Sequence, residues 1–196
     1  PSLVPSSVNV LRQFFSENTA KLIAIKPDLI IANHVFAHND NLSSIVRGVK
    51  RCLAQGGVFI FETNSGLDLL EKHLFDIVYH EHMDYHTVAP LVGFFRRHGL
   101  ELFRVEHNDS KGGTLKGFVC HQGQREQELS LPLVLTLEQS AGVENAQRWR
   151  SWAARIEERR AAVLAKLDGA SFIGYGAAAG GIATLQSTVG SVIDWL

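Results

Sequence analysis

The stretch PDLIIANHVFAHNDNLSSIVRGVKRCLAQGGVFIFET, Pro27 to Thr63, decides the fold. After Asp28 come Leu29, Ile30 and Ile31, a continuous apolar run of the kind buried on both faces of a parallel sheet. The run ends in polar residues from Asn33 to Asn41. Leu42 to Ala54 then has the spacing of an amphipathic helix, closed by Gly56 and Gly57. GVFIFET, Gly57 to Thr63, is a second buried strand. Strand, polar loop, helix, Gly-Gly and strand make a βαβ unit with a right-handed crossover. In open sheets of this kind ligands bind beyond the carboxyl ends of the strands, which here are Asn33 to His38 and Glu62 to Asn64.

Working outward, Leu11 to Ile25 has apolar residues at roughly helical spacing and is expected to form a helix stopped by Pro27. Downstream, Thr87 to His98 is a further helix, stopped by Gly99. Leu100 to His107 and Gly113 to His121 alternate on either side of NDSKG and read as an antiparallel hairpin. The polar GQREQE marks a boundary, which divides the chain into 1–123 and 124–196. Beyond it, Glu138 to Asp168 reads as one or two amphipathic helices. Ala170 to Gly181, ASFIGYGAAAGG, is a short apolar strand entering a small-residue loop, with a helix start from Ile182 to Ser187.

Composition narrows the partners. The chain has 196 residues, enough for a sizeable core, with 45% hydrophobic and 20% charged residues and a net charge of -1. That charge offers no footprint for nucleic acid. Cys52 and Cys120 are too far apart for a CxxC zinc pair or a disulfide framework, so a reducing cytoplasm is the default. The apolar runs are strand length and do not span a bilayer. PSLVPSSV lacks an initiating Met, a charged n-region and an apolar h-region, so it is not a signal peptide, and the chain is expected to be part of a longer protein.

The chemistry concentrates in VYHEHMDYH, Val78 to His86, with three histidines, two tyrosines and two acids. A metal reading rests on His82 and His86, one helical turn apart, and on His34 and His38 at the same spacing. The zinc-protease pattern HExxH is absent, however, and no metal is assigned. An acid/base reading fits better. A histidine titrates near neutrality, Glu81 or Asp84 can raise its basicity, and Tyr79 can donate to a developing oxyanion. Two further signals are weaker alone. GYGAAAGG could let backbone N–H groups approach a phosphate or could be a packing turn. SKGGTLKGFV, with Lys111, Gly112, Gly113 and Lys116, could meet an anion or could be a hairpin turn.

The order NHVFAH, GGVFIFET, FDIVYHEHMDYHT, HGLEL, SKGGTLKGFV and GYGAAAGG resembles the S-adenosylmethionine-dependent sugar C-methyltransferases, from about Phe14 to about Leu185. These methylate the carbon next to the ketone of nucleotide-activated 4-keto-deoxysugars. The resemblance implies an α/β fold, the later half of a Rossmann-like methyltransferase sheet ending in the antiparallel hairpin, followed by the start of a smaller α/β C-terminal domain. It implies that His82 is the base that removes the α proton, that Glu81 orients the base or the sugar, that Tyr79 lies near the keto group, and that His38 is a second active-site histidine. Ala32, Asn33, His34 and Ala37 would hold S-adenosylmethionine. Glu62, Asn64, Lys111, Gly112, Gly113, Lys116, Tyr175, Gly176 and Ala177 would handle the nucleotide-diphosphate sugar.

There are departures. The family's N-terminal zinc module has no counterpart in this chain, and the glycine-rich cofactor loop would lie upstream of Pro1. Gly180 stands where the loop pattern has Lys. The expected function is methyl transfer to carbon by His-assisted enolisation. The rivals are a non-catalytic sugar-nucleotide-binding relative and a metal-dependent hydrolase built on His80, His82 and His86.

Overall fold

The structure, a computed structural model, describes residues 8–169, 180–182 and 184. Its centre is a four-stranded sheet with the order β1-β2-β4-β3, formed by β1 Leu29–Asn33, β2 Val58–Asn64, β3 Leu100–Asn108 and β4 Thr114–His121. β1 and β2 run parallel, with Leu29 opposite Val58 and Asn33 opposite Glu62. α1, Leu42–Cys52, is the crossover between them, and the side chain of Asn41 caps it by accepting from the Ser44 N–H. β4 is antiparallel to both β2 and β3, so the hairpin closes this side of the sheet. The sheet is mixed and open, with a parallel pair at one side and an antiparallel hairpin at the other.

The connection from β2 to β3 carries the histidines. It begins with the short α2, Gly66–Glu71, and ends with α3, Val88–Arg97. The core between sheet and helices is aromatic. Phe36, Phe59, Phe61 and Phe95 are fully buried, and Phe36 stacks on Phe61 with ring centroids 4.8 Å apart. Gly117, opposite Phe61 in the register, makes room for that ring. α4, Ser130–Ala141, packs on β3 and α3, and α5, Ala146–Leu167, packs on α2.

Three expectations change. Leu11 to Ile25 is not a helix: only Thr19–Leu22 turns, as a 3-10 segment, while Leu11, Phe14 and Ile25 face outward. Apolar spacing without a surface to bury it does not hold a helix. β1 is not buried on both faces, since Leu29 and Ile31 are more than half exposed and only the alternate residues turn inward. The first C-terminal helix begins at Ser130, ahead of Glu138, because Leu131 inserts into the core. α5 is amphipathic as expected, with Trp149, Trp152, Ile156, Leu164 and Leu167 half-buried along one face. The ASFIGYGAAA segment, Tyr175, Gly176 and Ala177 included, lies outside the described residues. No helix among the described residues is long and apolar enough to cross a membrane.

Candidate active site

Two polar loops meet at the carboxyl ends of β1 and β2, and local sequence explains how each is held. In NHVFAH the side chain of Phe36 is the anchor, completely buried against Phe61, and the histidines at 34 and 38 flank it. Asn33 stands exposed at the end of β1, Ala32 is half-buried behind it, and Ala37 is buried. His34 takes a left-handed backbone with φ 51°, held by its N–H bond to the Glu62 carbonyl at 2.7 Å. A non-glycine residue in that region is a local strain of the kind that gathers at functional sites.

The second loop is stitched to the first. The Met83 N–H donates to the Ala37 carbonyl at 2.7 Å, and the Gly66 N–H donates to the His86 carbonyl at 2.8 Å. These bonds bring His82 beside His38, with ring centroids 4.8 Å apart, and Tyr79 beside His82, at 4.2 Å.

The hydrogen bonds define the tautomer of His82. The Ile77 carbonyl, 2.6 Å from Nδ1, can only accept, so Nδ1 carries the proton. In the neutral ring Nε2 is then an unprotonated acceptor, and it faces the Tyr79 hydroxyl at 3.1 Å. Burial lowers the pKa of His82, against the opposing bond to Ile77, and the charges of His38 and Lys111 lower it further. Burial likewise raises the pKa of Tyr79, with help from Glu81 and Asp76, which keeps its phenol a donor. The pair is a bare imidazole nitrogen beside a proton-bearing phenol, the combination needed to take a proton from carbon while a neighbouring oxygen becomes negative.

His38 is oriented in the same way, since its Nδ1 donates to the Glu81 carbonyl at 2.9 Å. Glu81 makes that contact through its backbone, and its carboxylate stands exposed. His34 Nε2 lies 3.7 Å from the Glu62 carboxylate, an ion pair only if the imidazole is protonated. Burial, and the charge of Lys111, lower the pKa of His34 and favour its neutral form. Glu62 also accepts from the Thr114 hydroxyl at 3.2 Å and stands opposite Lys116 in the β2–β4 register, while Asn64 is buried opposite Thr114.

The turn Ser110–Gly112 places Lys111 at φ 51° and leads into Gly113. Lys111 is exposed, and its charge reaches both His34 and His82.

The histidines of the hydrolase rival do not converge. His80 is exposed, whereas His86 is buried against Phe36 with no partner for its Nε2. His82 Nδ1 is held by the Ile77 carbonyl, and its Nε2 faces Tyr79, not His80 or His86. Among the described residues, the set of three metal-type ligand atoms that gathers within 4.8 Å is Asp68, His107 and Asp109. There the Lys72 ammonium already bridges the two carboxylates, at 2.8 and 2.9 Å.

Sequence reasoning missed this second cluster and also missed Glu138. The signals for the cluster were present: Ser65 three residues before Asp68 is a helix-start pattern, and Asp68 four residues before Lys72 is a helical ion pair. Gly180 has a packing explanation, because a Cβ there would lie 2.5 Å from the Asp76 carbonyl oxygen.

Residues 3–105 match the family described as a methyltransferase domain, and residues 109–192 match the C-methyltransferase C-terminal domain. The two ranges meet within the β3–β4 hairpin. The chain is also 30% identical over 165 residues to the C-methyltransferase NovU of Streptomyces niveus. That alignment covers 81% of this chain and 39% of that protein, so the chain spans well under half the length of this relative. On the parallel β1–β2 pair, the hairpin at the sheet's end and the match over more than half its length, the chain belongs to the methyltransferase family.

Proposed function

We propose that the enzyme of which this chain is part methylates the carbon next to the ketone of a nucleotide-linked 4-keto-deoxysugar, by an enolisation in which His82 is the base. The observation that carries this reading is the fixed tautomer of His82, with Nε2 bare and the Tyr79 hydroxyl 3.1 Å away. His82 Nε2 takes the α proton, the electron pair of the broken C–H bond forms the C=C bond of the enolate, the carbonyl π pair moves to oxygen, and the Tyr79 O–H opposes the charge that appears there. His38, held by the Glu81 carbonyl, stands where a second imidazole can receive or return a proton, and Glu81 borders the sugar.

S-adenosylmethionine would lie against Ala32, Asn33, His34 and Ala37, and supplies the electrophilic methyl group. These residues fit one side of such a cofactor: the alanines are small, Asn33 is exposed at a strand end, and the outer face of β1 is open. Glu62, Asn64, Lys111, Gly112, Gly113 and Lys116 are the described residues that would take the sugar nucleotide, and the resemblance adds Tyr175, Gly176 and Ala177 to them. The boundary between the two parts falls near residue 123, and the C-terminal part carries the nucleotide.

The test is deuterium wash-in at the sugar's α carbon, followed by NMR, using full-length protein and a 4-keto-deoxysugar nucleotide. Exchange by wild type that is lost in His82→Ala is the expected result. Binding of several such sugars without exchange would favour the non-catalytic relative instead.

A further inference from the structure

The turn that carries Lys111 is held from below by groups the reaction does not use. Asp68 on α2 is buried, with its side chain only 8% exposed, yet it remains a carboxylate. Burial pushes its pKa up, but hydrogen bonds from Lys72, Ser65 and His107 outweigh this and hold it low. Its oxygens meet Lys72 Nζ at 2.8 Å and His107 Nε2 at 2.6 Å. Lys72 then reaches into the turn itself, donating to Asp109 and to the Gly112 carbonyl, each at 2.9 Å. The Ser65 N–H takes the Gly113 carbonyl at 3.1 Å. Gly113 sits so close to Asp68 that any Cβ would overlap its carboxyl carbon, and Gly112 is packed on Leu74. Both ends of the turn are therefore pinned to α2, which leaves Lys111 in its strained left-handed conformation at φ 51°.

We infer that Asp68, Lys72 and His107 are positioning residues, a clamp that fixes the turn carrying Lys111 three residues before Thr114, whose hydroxyl bonds the Glu62 carboxylate that faces His34, so that the Lys111 ammonium meets an anionic oxygen of the substrate. This rests on the enolisation reading for the identity of that substrate, but not for the clamp itself. Two sources share the chemistry, the enolate oxygen and a phosphate oxygen. The Lys72 ammonium is itself taken up by Asp68, Asp109 and the Gly112 carbonyl. A change at Lys72 should therefore be felt by those imidazoles only through the turn.

The experiment uses the full-length protein as wild type, Lys72→Met, Lys72→Arg, Lys111→Met and the Lys72→Met/Lys111→Met double variant. The first readout is the NMR titration of the His34 and His82 rings. Lys111→Met is expected to raise both midpoints, Lys72→Met to raise them in the same direction, Lys72→Arg to restore them, and the double variant to go no further than Lys111→Met. Midpoints unmoved by Lys72→Met, or shifts that add in the double variant, overturn the clamp.

The second readout is α-carbon exchange on a 4-keto-deoxysugar nucleotide. Lys72→Met should lose roughly 10- to 100-fold in kcat/KM, the scale of a misplacement of about 1 Å, with no further loss in the Lys111→Met background. A loss in kcat assigns the ammonium to the enolate, and a rise in KM alone assigns it to phosphate. If wild type shows no exchange, the enolisation reading fails, while the titrations still decide the clamp.

Discussion

Glu138 offers the sharpest perturbation. It lies on α4, is 3% exposed, and its carboxylate accepts from the Val88 N–H at 2.6 Å and the Ala89 N–H at 3.1 Å. Those are the first two amides of α3, and Thr87, at the capping position, makes no side-chain cap bond. A residue about fifty positions downstream thus does what a local cap would do, and it ties α4 to the end of the histidine loop. Glu138→Ala removes this cap and leaves the buried Val88 amide without a partner, one loss of about 1–3 kcal/mol. Relief from burying a carboxylate offsets part of this, so the net loss is about 1–2 kcal/mol, or roughly 2–8 °C in Tm. Glu138→Gln keeps one acceptor oxygen and should lose about half as much.

The pH dependence has a definite sign. Burial raises the pKa of Glu138 above its unfolded value, against the two backbone bonds that lower it. The linked stabilisation is then complete below the unfolded pKa, near 4.3, and is lost as pH rises through the folded value. The advantage of wild type over Glu138→Gln should therefore be larger at pH 4.5 than at pH 8. Urea unfolding followed by circular dichroism at both pH values measures it. Variants within about 0.5 kcal/mol of wild type, or an advantage that grows with pH, would refute the capping argument.

Further outcomes follow from the same geometry. Because burial lowers the pKa of His82, its base form persists below the ordinary value of about 6.5, and the acid limb of α-carbon exchange in full-length protein should fall below that pH. A limb above 6.5 would contradict the desolvated imidazole. Tyr79→Phe removes the donor opposing the enolate and should reduce the kcat of exchange by about 100-fold with little change in KM, measured by the same NMR assay. Gly117→Ala would press a methyl into the Phe61 ring and should cost about 1–3 kcal/mol of stability in urea, without a direct effect on His82. Phe36→Ala removes the anchor between His34 and His38 and should cost about 3–5 kcal/mol.

Local pattern carried the strands and helices whose signals are local. Ile30 and Phe59 sit in strands because apolar runs bounded by Asp28, Gly57 and polar loops leave little alternative. The hairpin from Leu100 to His121 was legible from alternation around a glycine turn, and α3 from its helical spacing and Gly99. The cluster of His38, Tyr79 and His82 was legible from motif resemblance, although neither the tautomer of His82 nor its neighbours could be read there. Leu11 to Ile25 shows where pattern misleads. Its spacing is helical, but Leu11 and Phe14 stand exposed, and a short helix without tertiary burial does not persist.

What only the tertiary structure decided are contacts between residues far apart in the chain. Glu138 reaches α3 across 50 positions, and His107 reaches Asp68 across 39. Neither pairing leaves a periodicity, because a hydrogen bond across such a separation depends on how the sheet folds the chain back. The sequence by itself determined the βαβ unit and the hairpin, and it pointed to the histidine loop as the candidate site. The structure determined which nitrogen of His82 is unprotonated, which carboxylate caps which helix, and what holds the turn that carries Lys111, since those depend on positions set by packing.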